Sequence, residues 1–380
     1  MMSMRTVQLL VLFLCFVFPS VADGQTAFER AKVQAEAGDA DAQLEMGEIY
    51  RRQVGTPAGD STAVMWYTKS AKQGNATAQC NLAFMLENGY GGAKDEKAAL
   101  KWYRKSAKQD YARAQCGVGV MYEYGKGVDS DHVAAVKWYM KSAEGKYTPA
   151  YYNLARMYER GYGVARSDTA ALRWYLMAAE ANYAQAQGQL GWIYEHGMGS
   201  IRIDTPEALR WYQRASFNDD PMGRFNLGRY YYFGLGGIKK DYKIAAELFH
   251  SAARAGNTLA QYILGQMHET GLGDAVEQDQ KEALELYLKA AEKGHKGAQF
   301  RAGRMFYYGY GTEKNLKVAA YYYGLAEAQG DVYAAGNLGI MLFEGQGIDK
   351  DTEMGAAMLR RAADAGIKEV RDYMYRNNIK

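Results

Sequence analysis

Cysteine is too scarce in this chain to hold a fold together: three in 380 residues, of which Cys15 lies inside the one long apolar run. Charge of one sign is missing too. Lys and Arg number 46 against 43 Asp and Glu, a balance that argues against nucleic-acid binding. The apolar run "LLVLFLCFVF", Leu9 to Phe18, has ten residues, well short of the roughly 20 that span a bilayer. No second such run follows, so no transmembrane segment is expected. Histidine is sparse and scattered: His132, His196, His250, His268 and His295 form no "HExxH" pair. No metal site, cofactor site or catalytic triad can be assembled from these residues, and no enzymatic activity is expected.

The apolar run follows Arg5 and precedes Ser20-Val21-Ala22, the layout of a secretory signal peptide. Residues 1–22 are therefore expected to be removed, with cleavage after Ala22 and export of the remainder. Cys15 sits within the run rather than behind a small-residue cleavage site, which argues against lipid attachment. Hydrophobic residues at 48% and charged residues at 23% give the balance of a folded protein with a large core.

What the chain does have is a repeated sentence. "ALKWYRKSAKQ", "AVKWYMKSAEG" and "ALRWYLMAAEA" follow one another at 36-residue intervals. The aromatic pair at their centre recurs as Trp66-Tyr67, Trp102-Tyr103, Trp138-Tyr139, Trp174-Tyr175 and Trp211-Tyr212. It then degenerates to Leu248-Phe249, Leu286-Tyr287, Tyr322-Tyr323 and Met358-Leu359, with one widened spacing of 38 residues before Leu286. A sustained period of this length marks a solenoid, whose units bury their apolar faces against their neighbours.

Each unit reads as two helices. Ala150, Leu154, Ala155, Met157 and Tyr158 recur at helical spacing and mark the buried face of a first helix. A glycine after the leucine position recurs as Gly47, Gly119, Gly191, Gly228, Gly265, Gly303 and Gly339. Glycine inside a helix costs about 1 kcal/mol against alanine, so its recurrence predicts a close approach between helices. The second helix is expected to start behind an N-cap at Asp95, Asp131, Ser167, Asp204, Asp241, Asp279, Asn315 and Asp351. Between the helices lies a "GxG" turn, as in Gly125-Lys126-Gly127 and Gly161-Tyr162-Gly163. A helix precedes these glycines, which predicts a helix C-cap rather than a phosphate cradle. Cys80 and Cys116 occupy the same place in neighbouring units, where helix spacing of roughly 8–10 Å keeps them too far apart for a disulfide and predicts two free thiols.

The combined pattern of Ala, Leu-Gly, Tyr, "GxGV", Asp, "WY" and "KSA" resembles the Sel1-like repeat family, relatives of tetratricopeptide repeats. The resemblance covers nine units across residues 39–366, with a capping helix in 23–38 and a capping segment in 367–380. The first unit departs most, with Gly59 where the capping Asp belongs. The family implies an all-α, right-handed superhelix of helix hairpins whose inner wall, lined by the first helices, binds proteins. It is compatible with a location in the periplasm of a Gram-negative bacterium, or with secretion.

The face of the first helix that varies between units is the candidate site. One row at i, i+4, i+7 reads Cys80, Phe84, Glu87; Cys116, Val120, Glu123; Tyr152, Arg156, Glu159; and Gly188, Trp192, Glu195. It continues as Phe225, Arg229, Tyr232; Tyr262, Gln266, Glu269; Phe300, Arg304, Tyr307; and Gly336, Ile340, Phe343. Aromatics and arginine are the residue types that dominate interface hot spots, so the row predicts a partner-binding wall, with packing between units as the competing reading. The row changes from glutamates in its first half to Tyr232, Tyr307 and Phe343 in its second, which suggests an acidic part that guides a basic segment and an aromatic part that anchors it. A protein or peptide partner is expected, either through an adaptor role or as an immunity-type inhibitor of a toxin. The alternative is a glycan or peptidoglycan stacked on the aromatics.

Overall fold

The structure, a computed structural model, describes residues 21–54, 57–272 and 274–379. The apolar run and all but the last two residues of the expected signal peptide lie outside these residues. The described residues form twenty helices and no strand, in two compact units that divide between Ser167 and Asp168. The first unit holds α1 (Val21–Glu36), α2 (Ala40–Val54), α3 (Pro57–Lys72), α4 (Ala76–Asn88), α5 (Glu96–Ala107), α6 (Ala112–Tyr124), α7 (His132–Glu144) and α8 (Thr148–Arg160). The second holds α9 (Asp168–Glu180), α10 (Ala184–His196), α11 (Thr205–Phe217), α12 (Pro221–Phe233), α13 (Tyr242–Arg254) and α14 (Thr258–Thr270). It continues with α15 (Gln280–Glu292), α16 (Lys296–Tyr308), α17 (Leu316–Ala328), α18 (Val332–Glu344), α19 (Thr352–Asp364) and α20 (Lys368–Arg376). Within each unit, helices next to each other in sequence pack together, as a solenoid requires.

Local sequence sets the hairpins. The first helices end on a glycine in the left-handed conformation, at Gly89, Gly125, Gly161, Gly234, Gly309 and Gly345, with φ from 67° to 79°. The second glycine of the turn has a different reason to be glycine. A Cβ on Gly163 would lie 2.2 Å from the His132 carbonyl oxygen, and one on Gly311 would lie 2.2 Å from that of Gln280. Each turn thus rests on the first turn of the preceding unit's second helix. That next helix begins as expected: Asp95, Asp131, Asp204, Asp241, Asp279, Asn315 and Asp351 each accept from an N–H of its first turn. In the first hairpin α3 starts at Pro57, so Gly59 falls inside the helix rather than at its cap; proline suits a first helical position because its missing N–H would be unpaired there.

The interior glycines make room for the second aromatic of the pair. A Cβ on Gly119 would come within 2.5 Å of the Tyr139 ring, and Gly47, Gly191, Gly265 and Gly303 stand in the same relation to Tyr67, Tyr212, Tyr287 and Tyr323. These tyrosines are wholly buried. The tryptophans lie nearer the surface and are covered by the cation three residues on: Lys69 over Trp66, Lys105 over Trp102, Lys141 over Trp138 and Arg214 over Trp211.

Polar side chains tie helix to helix, the serines within a hairpin and the glutamines to the preceding helix. Ser70, Ser106 and Ser142 donate to the carbonyls of Ala40, Ala76 and Ala112, each thirty residues earlier. Gln43, Gln79, Gln187, Gln261 and Gln299 donate to a carbonyl eight residues earlier. Buried donors and acceptors that recur at the repeat period hold the stacking register, because a shifted helix would leave them unpaired. Cys80 and Cys116 are buried free thiols, as their spacing predicts.

Candidate functional site

The structure turns much of the variable row inward. Glu87, Glu123, Glu195 and Glu269 accept from the hydroxyls of Tyr103, Tyr139, Tyr212 and Tyr287, at 2.6 to 3.0 Å, inside their own hairpins. Burial, followed by the neighbouring carboxylate, pushes each of these phenols far above its ordinary pKa, so the proton stays on tyrosine and points at glutamate. Each carboxylate also meets a cation from the following unit: Glu87 pairs with Lys126, Glu123 with Arg156, Glu195 with Arg229, and Glu269 with both Arg301 and Arg304. Within each of the two compact units, the rungs of a ladder of Tyr, Glu and a cation therefore link one hairpin to the next.

At Tyr232 and Phe343 this ladder accounts for the change from glutamate to aromatic that reads, in sequence, as a two-part partner surface; at Tyr307, whose hairpin presents the buried phenol of Tyr323, it does not. Where the hairpin's second helix carries Tyr, the corresponding residue of the first is Glu in five hairpins, Arg51 in the hairpin of Tyr67 and Tyr307 in that of Tyr323. Where it carries Phe249, that residue is Tyr232; where it carries Leu359, it is Phe343. Without a phenol to satisfy, no buried carboxylate is needed. Glu123 and Glu195, expected to guide a basic segment, are instead engaged within the fold, together with Arg156 and Arg229.

The remaining members of the row lie at intermediate depth or pack on neighbours. Arg51 lies 5.0 Å over the ring of Phe84, which also touches Tyr90. Tyr262 packs on Tyr287 and His295, Phe300 on Tyr323 and Tyr333, and Phe343 on Tyr373. Tyr307 donates to Gln346 Oε1 at 2.9 Å. Tyr152 and Glu159 are half-buried. Trp192 is the open one, 43% exposed and stacked on His196.

One stretch of the row does open into a cavity, of about 460 Å³, between α12 and α14. Phe225, Arg229 and Tyr232 line it, as does Gln266, while Phe300, Arg304 and Tyr307 do not. Its apolar wall adds Phe249, Ile263, Met267 and Leu272, and Phe233, Thr270, Glu269 and Arg301 complete it. Two local departures shape it. Phe249 and Tyr232 replace the usual Tyr and Glu, and Tyr232 packs 6.3 Å from Phe249 instead of pairing with it. The loop after α14 is longer than its counterparts: Leu272 N–H donates to the Val276 carbonyl at 2.8 Å, which folds Leu272 and the buried Val276 against Phe225 and Phe249. The widened 38-residue spacing and the loss of the tyrosine were the signals in the sequence for these residues.

Electrostatically the cavity is apolar with a charged edge. Glu269 accepts from Tyr287 at 2.7 Å and from Arg301 at 3.0 Å. Burial works against the charge on Arg301, yet the Glu269 carboxylate beside it holds its pKa above the ordinary arginine value. Behind the wall, burial and then the Glu195 charge push the Tyr230 phenol up to about 12. Among the described residues no three His, Cys, Asp or Glu side chains converge as a metal site would need.

The model of the Sel1 repeat matches nine segments: 40–75, 76–111, 112–147, 148–183, 184–216, 221–257, 258–295, 297–331 and 332–367. The chain belongs to the Sel1 repeat family. A crystal structure of a protective antigen from uropathogenic Escherichia coli with an SLR fold is 31% identical over 93% of this chain and 83% of its own, with a TM-score of 0.60. A Sel1 repeat protein from Oxalobacter formigenes is 26% identical over 65% of this chain and 96% of its own, with a TM-score of 0.55. An immunity protein from Pseudomonas aeruginosa is 23% identical over 57% of this chain and 81% of its own, with a TM-score of 0.43. Comparison with curated proteins gave no match. The Sel1 assignment fixes the all-α hairpin architecture, and no helix among the described residues is long and apolar enough to cross a membrane.

Proposed function

We propose that this Sel1 repeat scaffold is exported and binds a protein or peptide partner through the cavity between α12 and α14. The observation that carries this reading is the break in the ladder at Tyr232 and Phe249, where a repeated internal pairing gives way to an open apolar cavity edged by arginine. Concave apolar pockets with a few placed polar groups are where ligands and partner anchors bind. Export is supported by Arg5, the apolar run and Ser20-Val21-Ala22. An adaptor and an immunity-type inhibitor are both forms of this activity.

A photo-crosslinking amino acid at Phe233, a cavity residue 54% exposed, tests it against the same group at Val133, 50% exposed on α7. In cells that export the protein, an adduct with a discrete protein is expected from position 233 and not from 133, and Thr270→Trp, which crowds the cavity mouth, is expected to abolish it. Equal adducts at both positions, or retention by a glycan panel with no protein adduct, would overturn the proposal.

A further inference from the structure

We infer that the occupant of this cavity is the C-terminal residue of the partner: an apolar side chain against Phe249, Ile263 and Met267, with its own α-carboxylate at Arg229 and Arg301. The inference rests on the proposal that the cavity binds a polypeptide, and it names the part of the polypeptide that enters.

Charge is the first ground. Two guanidiniums, Arg229 and Arg301, line the cavity together with one carboxylate, Glu269, while Glu195, the partner of Arg229, lies outside the lining. A guanidinium has five N–H donors; Glu269 engages Arg301 through Nη1, whereas Glu195 and Asn226 take both Nη atoms of Arg229. The lining therefore carries one positive charge more than negative, which suits an anion and repels a cationic side chain.

Geometry is the second ground. The arginines and the apolar wall belong to one cavity, so the occupant must present an apolar group and an anion side by side. In an extended peptide, neighbouring side chains point to opposite faces, and the next residue on the same face stands roughly 7 Å along the chain, so an internal apolar and acidic pair is poorly matched to one pocket. A terminal residue can, because its carboxylate and its side chain leave the same Cα. Capture of a chain-end carboxylate is also inexpensive in entropy, since few residues are ordered to make it.

Fluorescence anisotropy on the purified exported protein tests this with labelled hexapeptides of one neutral sequence ending in Phe, Leu, Trp or Ala. Each is made as the free acid and as the amide, and a further amidated peptide ends in Phe-Glu. The acids ending in large apolar residues are expected to bind, with the amides and the Phe-Glu amide weaker by about tenfold or more, the loss expected for a charge-assisted contact. Arg301→Gln should remove the difference between acid and amide. Because Arg301 also holds Glu269, Thr270→Trp provides the second variant: it leaves the ladder intact and should abolish acid binding without changing the melting curve. Equal binding of acid and amide would overturn the inference while leaving the cavity as a polypeptide site. Failure of every acid, with the Phe233 adduct still formed, would overturn the inference alone; failure of both would remove the proposed function with it.

Discussion

Tyr139 Oη donates to Glu123 Oε2 at 2.6 Å, and Arg156 Nη2 donates to Oε1 of the same carboxylate at 3.1 Å, so one glutamate joins two helices of its own hairpin to the next. The pair is more deeply buried than its counterparts: the side chain of Arg156 is 17% exposed, against 31% for Arg229 and 37% for Arg304. The cost of removing each arginine should follow that order. Arg156→Ala leaves a nearly buried carboxylate short of a charge partner, a loss of about 1–3 kcal/mol. Arg304→Ala leaves Glu269 with Arg301 and Tyr287 and should cost under about 1 kcal/mol. Urea unfolding of the three variants checks the ranking, and equal losses would contradict it.

The same burial makes stability sensitive to alkali. Burial raises the thiols of Cys80 and Cys116 to about 11 and about 12, and raises the Tyr139 phenol above its ordinary value. The folded state then holds these protons more tightly than the unfolded state does. Stability from them is fully present below the unfolded values, about 8.5 for thiol and about 10 for phenol, and is lost as pH rises toward the folded values. Melting temperature should fall above about pH 9, and a Cys80→Ala, Cys116→Ala variant should show a shallower fall between pH 9 and 11. In the native protein both thiols should react with a disulfide reagent only at the rate of opening.

Glycines of the turns separate steric contact from backbone conformation. Gly311 has φ +68° and its Cβ would meet the Gln280 carbonyl, whereas Gly237 has φ +85° and nothing within 4 Å. Gly237→Ala should cost about 1–2 kcal/mol, the conformational penalty alone. Gly311→Ala should cost clearly more, since the preceding unit must move away. Thermal melts of the two variants measure the difference.

Tryptophans of the aromatic pair should not be equivalent. Trp211 is 6% exposed, while Trp138 is half-buried under Lys141. Trp211→Ala should cost about 3–5 kcal/mol, and Trp138→Ala less. In a repeat array the loss should broaden the unfolding transition as well as lower it, which calorimetry would detect.

Export predicts a chain that starts at Asp23. Mass spectrometry of the protein recovered outside the cytoplasm should find that terminus, and an intact Met1 in the cytoplasm would contradict it.

Hairpins, caps and turns were determined by the sequence alone because each is a local event. An Asp that caps α7, a glycine that ends α6, and Gly119 that admits the Tyr139 ring all act within one hairpin, so a 36-residue period displays them directly. The destination of the row was a tertiary matter. Glu123 and Arg156 are 33 residues apart, Glu195 and Arg229 are 34 apart, and both acids and bases have reach enough to point outward or inward. Helical spacing places such side chains on a face but not at a depth; the depth of Glu123 and Glu195 follows from the phenols of Tyr139 and Tyr212 that they meet. The cavity was decided at the same level. Phe249, Met267 and Leu272 come from three different segments, and the space lies where Phe249 offers no hydroxyl to pair, Tyr232 packs on its ring and the long loop after α14 folds in beside them.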